Sequence, residues 1–143
     1  MVFGATFIDT WGWIALGRRK DPRHDEAAEY YRALSRTGEQ IYTSDYVLDE
    51  AITLIFRRES FAEAARFVNS IIASASSRYI IVEQISPERF AAAWDLRLRL
   101  KDKARISFTD LTSMIVMRER GVKHVLTDDK HFAQVGLGFE LAP

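Results

Sequence analysis

Four short runs rich in β-branched and aromatic residues, at 2–9, 40–43, 79–82 and 124–127, are separated by long stretches with helical patterning. A hairpin joins antiparallel strands within a few residues. A connection of about a dozen residues or more that contains a helix instead carries the chain across to a parallel strand. This spacing therefore predicts a parallel sheet with helices on both faces, an α/β/α sandwich. Residues 139–141 add a short edge strand to the expectation. With 143 residues, no internal repeat and no linker, residues 1–143 read as one domain.

Local signals divide the chain further. A helical segment at 11–16 leads into a charged loop at 17–23. Ala27, Ala28, Tyr30, Tyr31 and Leu34 recur at helical spacing until Gly38 closes that helix. Ser44 or Asp45 caps the next, which runs to about Arg58, and Ser60-Phe-Ala-Glu63 matches a capping box. The helix behind that box offers Phe61, Ala64, Ala65, Val68, Ile71 and Ile72 as its apolar face. Ser86-Pro87 opens a helix with an expected buried stripe of Phe90, Ala91, Trp94 and Leu98. Ser107 opens the last long helix and Gly121 ends it.

Composition removes several function classes. There is no Cys, hence no thiolate metal site, thiol nucleophile or disulfide scaffold. Twenty Lys and Arg against twenty Asp and Glu argue against a protein that coats nucleic acid by bulk electrostatics. No run approaches the ~18–20 apolar residues that span a bilayer. No cation precedes Arg18 and Asp9 interrupts the first apolar run, which is unlike a secretory signal. The expectation is a cytoplasmic protein without a membrane segment.

In open parallel sheets, ligands bind outside the carboxyl ends of the strands. Four acids fall there: Asp9 after the first strand, Glu50 early in the helix after the second, Asp110 in the first turn of a helix, and Asp129 after the fourth strand. If gathered, such carboxylates repel until they protonate or a cation neutralises them, and all-oxygen donors select Mg²⁺ or Mn²⁺. Each acid also has a plainer reading. Asp110 completes a capping box with Ser107, Asp9 is a strand-end turn residue, and pattern alone does not choose between Asp128 and Asp129. Glu50 falls at the edge of the face formed by Val47, Leu48, Ala51, Ile52, Leu54 and Ile55, where Arg57 or Arg58 would be its salt-bridge partner.

Phe7-Ile-Asp9-Thr10, Thr43-Ser-Asp-Tyr-Val-Leu-Asp-Glu50, Ser107-Phe-Thr-Asp110 and Leu126-Thr-Asp-Asp129-Lys-His-Phe132 together resemble the PIN-domain family, and within it the VapC-like ribonucleases of prokaryotic toxin–antitoxin pairs. The resemblance covers essentially the whole chain. It implies a PIN-like fold and metal-dependent hydrolysis of RNA. Asp9, Glu50, Asp110 and Asp129 match the family's catalytic and Mg²⁺- or Mn²⁺-binding acids, Asp129 rather than Asp128 taking the Thr-x-Asp position. Thr10, Ser107 and Thr109 match supporting hydroxyls. It also implies an RNA substrate, an antitoxin partner and a homodimer. Trp11 departs from the pattern, standing where many members carry a small Ser.

Arg97, Arg99, Lys101, Lys103 and Arg105 put five cations just before Ser107, opposed only by Asp102. They are candidates for the RNA backbone, or the solvated end of a helix. Arg18, Arg19, Lys20 and Arg23 form a second cluster after Asp9. Trp11, Trp13, Tyr30, Tyr31 and Trp94 read as core or subunit-contact residues rather than base-stacking ones. Competing readings are a non-catalytic PIN-fold adaptor and a stand-alone nuclease without an antitoxin. A haloacid-dehalogenase-type phosphatase fits worse, since it needs a second Asp where Trp11 stands.

Overall fold

The computed structural model describes residues 4–143, so Val2 and Phe3 of the first predicted strand lie outside the described residues. Five strands, β1 (Thr6–Ile8), β2 (Ile41–Ser44), β3 (Ile80–Glu83), β4 (His124–Leu126) and β5 (Glu140–Ala142), form one sheet in the order β3-β2-β1-β4-β5. Every pairing is parallel, with Thr6 opposite both Ile41 and His124. The connections carry α1 (Thr10–Gly17) and α2 (His24–Thr37), then α3 (Asp45–Arg58) and α4 (Phe61–Ser76), then α5 (Pro87–Arg99) and α6 (Phe108–Arg120). A single turn, α7 (His131–Gln134), precedes β5. This is the expected α/β/α sandwich. The chain grows from β1 outward through β2 to β3, then returns to place β4 on the other flank of β1. The strand order thus reverses between β1 and β4, and such a switch point opens a crevice at the carboxyl edge of the sheet.

The strands are apolar without strict alternation because both faces are covered. All three residues of β1 are buried, and Phe7, Ile8, Ile41, Ile80, Val125 and Leu126 form the middle of the core with Leu34, Leu111, Met114, Met117 and Phe132. In α6 every residue from Leu111 to Met117 is buried, so the helix is enclosed on all sides. Its two hydroxyls there are satisfied locally, as Thr112 and Ser113 donate to the Thr109 carbonyl at 2.6 and 3.1 Å. Among the described residues no helix is long and apolar enough to cross a membrane.

Capping follows the sequence closely. Ser44, Ser60, Ser86 and Ser107 each accept from a backbone N–H in the first turn that follows, Pro87 begins α5, and Gly38 and Gly121 close their helices at φ +71° and +67°. The Ser60 box is only half built, since Glu63 pairs with Arg66 at 2.6 Å rather than reaching back to the cap.

Two apolar faces depart from expectation. In α5 the buried residues are Ala93 and Leu96, while Phe90, Trp94 and Leu98 are about half exposed at 48, 52 and 51% and Ala91 faces solvent too. The stripe expected to be buried is the outer face, because the small Ala93 allows α5 to lie close against α6. In α4 the buried positions are Ala64 and Ile71, and Phe61 and Ile72 are exposed. Helical periodicity identifies an apolar stripe but not what covers it.

One charged group is built into this frame. Glu83, at the end of β3 and only 6% exposed, receives Arg120 through two guanidinium nitrogens and Arg89 through a third contact at 3.1 Å. Arg89 also reaches Glu119 at 2.9 Å and the Gln84 carbonyl at 2.8 Å. Burial acts against the Glu83 charge, but the two guanidinium groups outweigh it and hold the carboxyl below its ordinary range.

Candidate active site

The crevice between β1 and β4 is where the chain concentrates its acids. Asp9 ends β1 as the N-cap of α1: its Oδ1 accepts the Gly12 N–H at 2.9 Å, and its Oδ2 accepts the hydroxyl of Thr127, the residue after β4. A Cβ on Gly12 would lie 2.7 Å from the Leu126 carbonyl oxygen, so only glycine lets α1 descend this far onto β4. Thr127 also accepts the Asp129 N–H at 2.9 Å. One hydroxyl thereby ties the Asp9 carboxylate to the turn that carries Asp129.

Asp9 is 4% exposed. Burial pushes its carboxyl up to about 8, the bonds from Thr127 and Gly12 oppose that rise, and the nearby charges of Asp110 and Asp128 add to it. Asp110 is held up to about 7, by burial first and then by Asp129, whose carboxyl lies within hydrogen-bonding reach, with a further contribution from Glu50. Ser107 works in the other direction, and it also accepts the Asp110 N–H at 3.0 Å. Asp129 and Asp128 are thus distinguished by position. Asp129 acts on Asp110 and accepts the His131 N–H at 2.9 Å, whereas Asp128 acts on Asp9 and is itself influenced by Arg23, Asp129 and Asp21.

Glu50 sits differently from its sequence expectation. It is exposed on α3 and has no ion pair with Arg57 or Arg58, and the buried residues of that helix are Val47, Ala51 and Ile55. It lines an open cleft of about 440 Å³ with Tyr46, Asp49, Thr53, Leu54, Arg57 and Thr109, so Glu50 and Thr109 face one space from α3 and α6. Thr10 begins α1 beside Asp9 with no side-chain hydrogen bond among the described residues. Thr127 is a structural participant to which the sequence reading gave no role beyond marking the Thr-x-Asp position. A Thr at the carboxyl end of a central strand, two residues before an acid, was the available signal.

Of the basic strip, Arg97 has a task inside the fold. It donates to the carbonyls of Ile106, Leu100 and Lys103 at 2.9, 2.7 and 2.8 Å, shaping the turn between α5 and α6. Lys103 pairs with Asp102 at 2.9 Å, and Lys103, Arg105, His131 and Gln134 line a second open cleft of about 550 Å³. His131 carries that cleft toward the acids, its Nδ1 lying 2.9 Å from Asp129 Oδ1.

All the candidate donors are carboxylates. Among the described residues no cationic side chain is paired with Asp9, so ionising that buried carboxyl is left without a compensating charge. Among the described residues, no three acids or histidines already stand in the tight shell of a bound ion. The acids are neighbours that couple electrostatically rather than a closed cage.

Comparison with known proteins agrees with the fold. The PIN domain model matches residues 6–137. The chain is 32% identical over 130 residues, 91% of its own length and 93% of the relative's, to the 23S rRNA-specific endonuclease VapC20 of Mycobacterium tuberculosis. The crystal structure of that protein, described as a Sarcin-Ricin loop cleaving toxin, superposes with a TM-score of 0.77 at 29% identity, covering 92% of this chain and 95% of the other. VapBC2 from Rickettsia felis, bound to a DNA fragment from its promoter, shares the fold at a TM-score of 0.74 and 16% identity over 97% of this chain and 99% of the other. Fold, motif order and likeness along nearly the whole length converge: the chain belongs to the PIN-domain family.

Proposed function

We propose that this protein is an endoribonuclease that hydrolyses RNA phosphodiester bonds with a divalent cation, Mg²⁺ or Mn²⁺, and that it is the toxin of a toxin–antitoxin pair. The observation that carries the reading is Asp9: a carboxylate almost wholly buried at the switch point of the sheet, uncompensated by any cationic side chain and next to further acids. A small multivalent cation is the partner such a group lacks, and an oxygen-only donor set suits a hard ion. Asp9, Asp110 and Asp129 would hold it, with Glu50 as a ligand or as the base. When bound, the cation supplies a Lewis acid that polarises the phosphodiester and acidifies water.

The chain's own residues do the positioning. Gly12 and Thr127 fix both oxygens of Asp9, and Ser107 fixes the turn that presents Asp110. Glu50, exposed across the cleft, is placed to orient the attacking water and take its proton as the P–O bond to the leaving oxygen breaks. Lys103 and Arg105, in the cleft that also holds His131, would make salt-sensitive contacts to the RNA backbone, with Arg99 and Lys101 proposed to extend them. Purified protein should cleave RNA only with Mg²⁺ or Mn²⁺, lose that activity to a chelator, and lose it in Asp110→Asn without unfolding. Equal cleavage by Asp110→Asn would overturn the assignment. The acids' lack of a closed shell favours a second reading, a non-catalytic adaptor on the same fold. Calorimetry that detects no Mg²⁺ or Mn²⁺ binding would select it.

The partners follow from the same reading. VapC20 is described as a toxin and the Rickettsia felis structure holds its antitoxin, which supports an antitoxin for this chain in the cytoplasm. By family analogy that partner inserts a helix, or an Arg or Lys, near the acids. A homodimer is supported by α5, whose outer stripe of Phe90, Trp94 and Leu98 would otherwise face water. Trp94→Glu should convert the dimer to a monomer by light scattering while the unfolding temperature stays within about 2 °C, as expected of surface substitutions. A Trp94→Glu protein that remains dimeric places the contact elsewhere.

A further inference from the structure

Beside Asp9 the chain builds a flat composite surface that the acid chemistry does not use. Trp11, in the first turn of α1, is partly buried, and the Arg23 guanidinium lies 4.9 Å from the centre of its ring. Glu26 holds that guanidinium in plane through two bonds, to Nε at 3.1 Å and to Nη2 at 2.8 Å. Asp21 Oδ1 accepts the Arg23 backbone N–H at 2.9 Å, and the His24 ring lies 2.7 Å from the Ala15 carbonyl, which pins the loop to α1. Even so, the Arg23 side chain remains 37% exposed. The residue is therefore fixed in direction while keeping a surface open to solvent.

Its surroundings decide what that surface can take. Glu26 occupies the Arg23 guanidinium through both of its bonds, while Asp128 and Asp21 act on its charge from farther away. A phosphate approaching it would compete with the Glu26 carboxylate for the same donors and meet its repulsion, which argues against a backbone clamp. A neutral planar group meets no such repulsion, because a delocalised guanidinium stacks on aromatic planes and an unpaired nucleobase is one. Asp128, which is close enough to Asp9 to act on its charge, links this surface to the acids.

The geometry points to a nucleobase platform: Arg23, clamped between Trp11 and Glu26, stacks one unpaired base of the RNA and so sets which phosphodiester lies over the acids. This rests on the ribonuclease reading for its ligand but not for its test. Binding of fluorescein-labelled single-stranded oligoribonucleotides to the metal-free protein is followed by anisotropy, using a parent sequence and a series with one abasic nucleotide moved along the strand. Trp11→Ser and Arg23→Lys are each expected to weaken binding about tenfold. Trp11→Phe, which keeps a ring, should bind like wild type. At one abasic position the wild-type protein should itself lose the same factor, and there the variants should add nothing.

Wild-type affinity in Arg23→Lys would show that charge alone suffices and would overturn the platform. So would variant losses that persist at every abasic position, the mark of a loop latch, or an absence of RNA binding by wild type. The parent reading fails separately. A protein that shows this base-dependent binding and never cleaves with Mg²⁺ or Mn²⁺ keeps the platform and loses the nuclease.

Discussion

Asp9→Asn is expected to abolish RNA cleavage, by roughly a thousandfold or more, and to make the metal-free protein more stable. The two effects share one cause. In the folded chain the Asp9 carboxyl is pushed up to about 8, against 3.8 for an ordinary aspartate. A group raised in the folded state contributes its full stability below its unfolded value, and that contribution is lost as pH rises toward the folded one. Between about pH 4 and pH 8 the unfolded chain ionises while the fold holds Asp9 protonated, so keeping that proton counts increasingly against folding. Asparagine removes the charge and keeps the bonds: its amide oxygen accepts from Gly12, and its NH₂ donates to Thr127, whose hydroxyl can accept. At neutral pH the gain should be on the order of 3 kcal/mol. For a chain of this size that is roughly 5–10 °C in unfolding temperature. Calorimetry of both proteins in chelator at pH 5 and pH 8 checks this, since the difference should be small at pH 5 and large at pH 8. Adding Mn²⁺ at pH 8 should raise the wild-type midpoint and leave that of Asp9→Asn nearly unchanged. A variant less stable than wild type at pH 8 would show that Asp9 is structurally satisfied as an anion, and that the need for a cation is misread.

Glu83→Ala is expected to be the most damaging change outside the site. Glu83 receives Arg120 and Arg89 at the end of β3, where its side chain is 8% exposed and that of Arg89 is 13% exposed. Removing one member of a buried ion pair leaves the other charge uncompensated at a cost of about 3–5 kcal/mol. Arg120 is 47% exposed and recovers hydration, so a loss of about 2–3 kcal/mol is the reasonable figure here. The pH dependence is opposite to that of Asp9. The Glu83 carboxyl is depressed in the fold, so its stabilisation is present above the ordinary glutamate range and disappears as pH falls through that range and below. Wild type should thus lose stability in acid from Glu83 and, without metal, progressively between about pH 4 and pH 8 from Asp9. Urea unfolding across pH would reveal it. A Glu83→Ala midpoint equal to wild type at pH 7 would mean that Glu119 and the Gln84 carbonyl suffice for Arg89 and that water suffices for Arg120.

What could be read from residues alone divides along a physical line. Local signals came through because they are local: Ser44, Ser86 and Ser107 cap the helices expected of them, and Gly38 and Gly121 take left-handed conformations where helices stop. Parallel topology was legible because crossover connections announce themselves by length. The outer stripe of α5 was misjudged because Phe90, Trp94 and Leu98 repeat as a core face would, and only the packing of Ala93 and Leu96 on the fold shows which side is covered. Glu50 was placed at the border of burial by helical angle alone, yet it faces a cleft whose far wall, Thr109, comes from another helix. Arg97 looked like one more cation in a strip, since no local pattern reveals that three carbonyls of the following turn converge on it. Thr127 was invisible as a participant for the same reason: its partner lies 118 residues away.

That separation bears on when the protein acquires its chemistry. β1 is the central strand, but it pairs with β2 early in the chain and with β4 only near the end. Synthesis proceeds from the N-terminus, so a growing chain that has released everything through α6 holds Asp9 without its Thr127 donor and without Asp129 beside Asp110. The fold thus acts as a completion check. For an enzyme whose substrate would be RNA in the compartment where it is made, no copy that stops before β4 carries an assembled site.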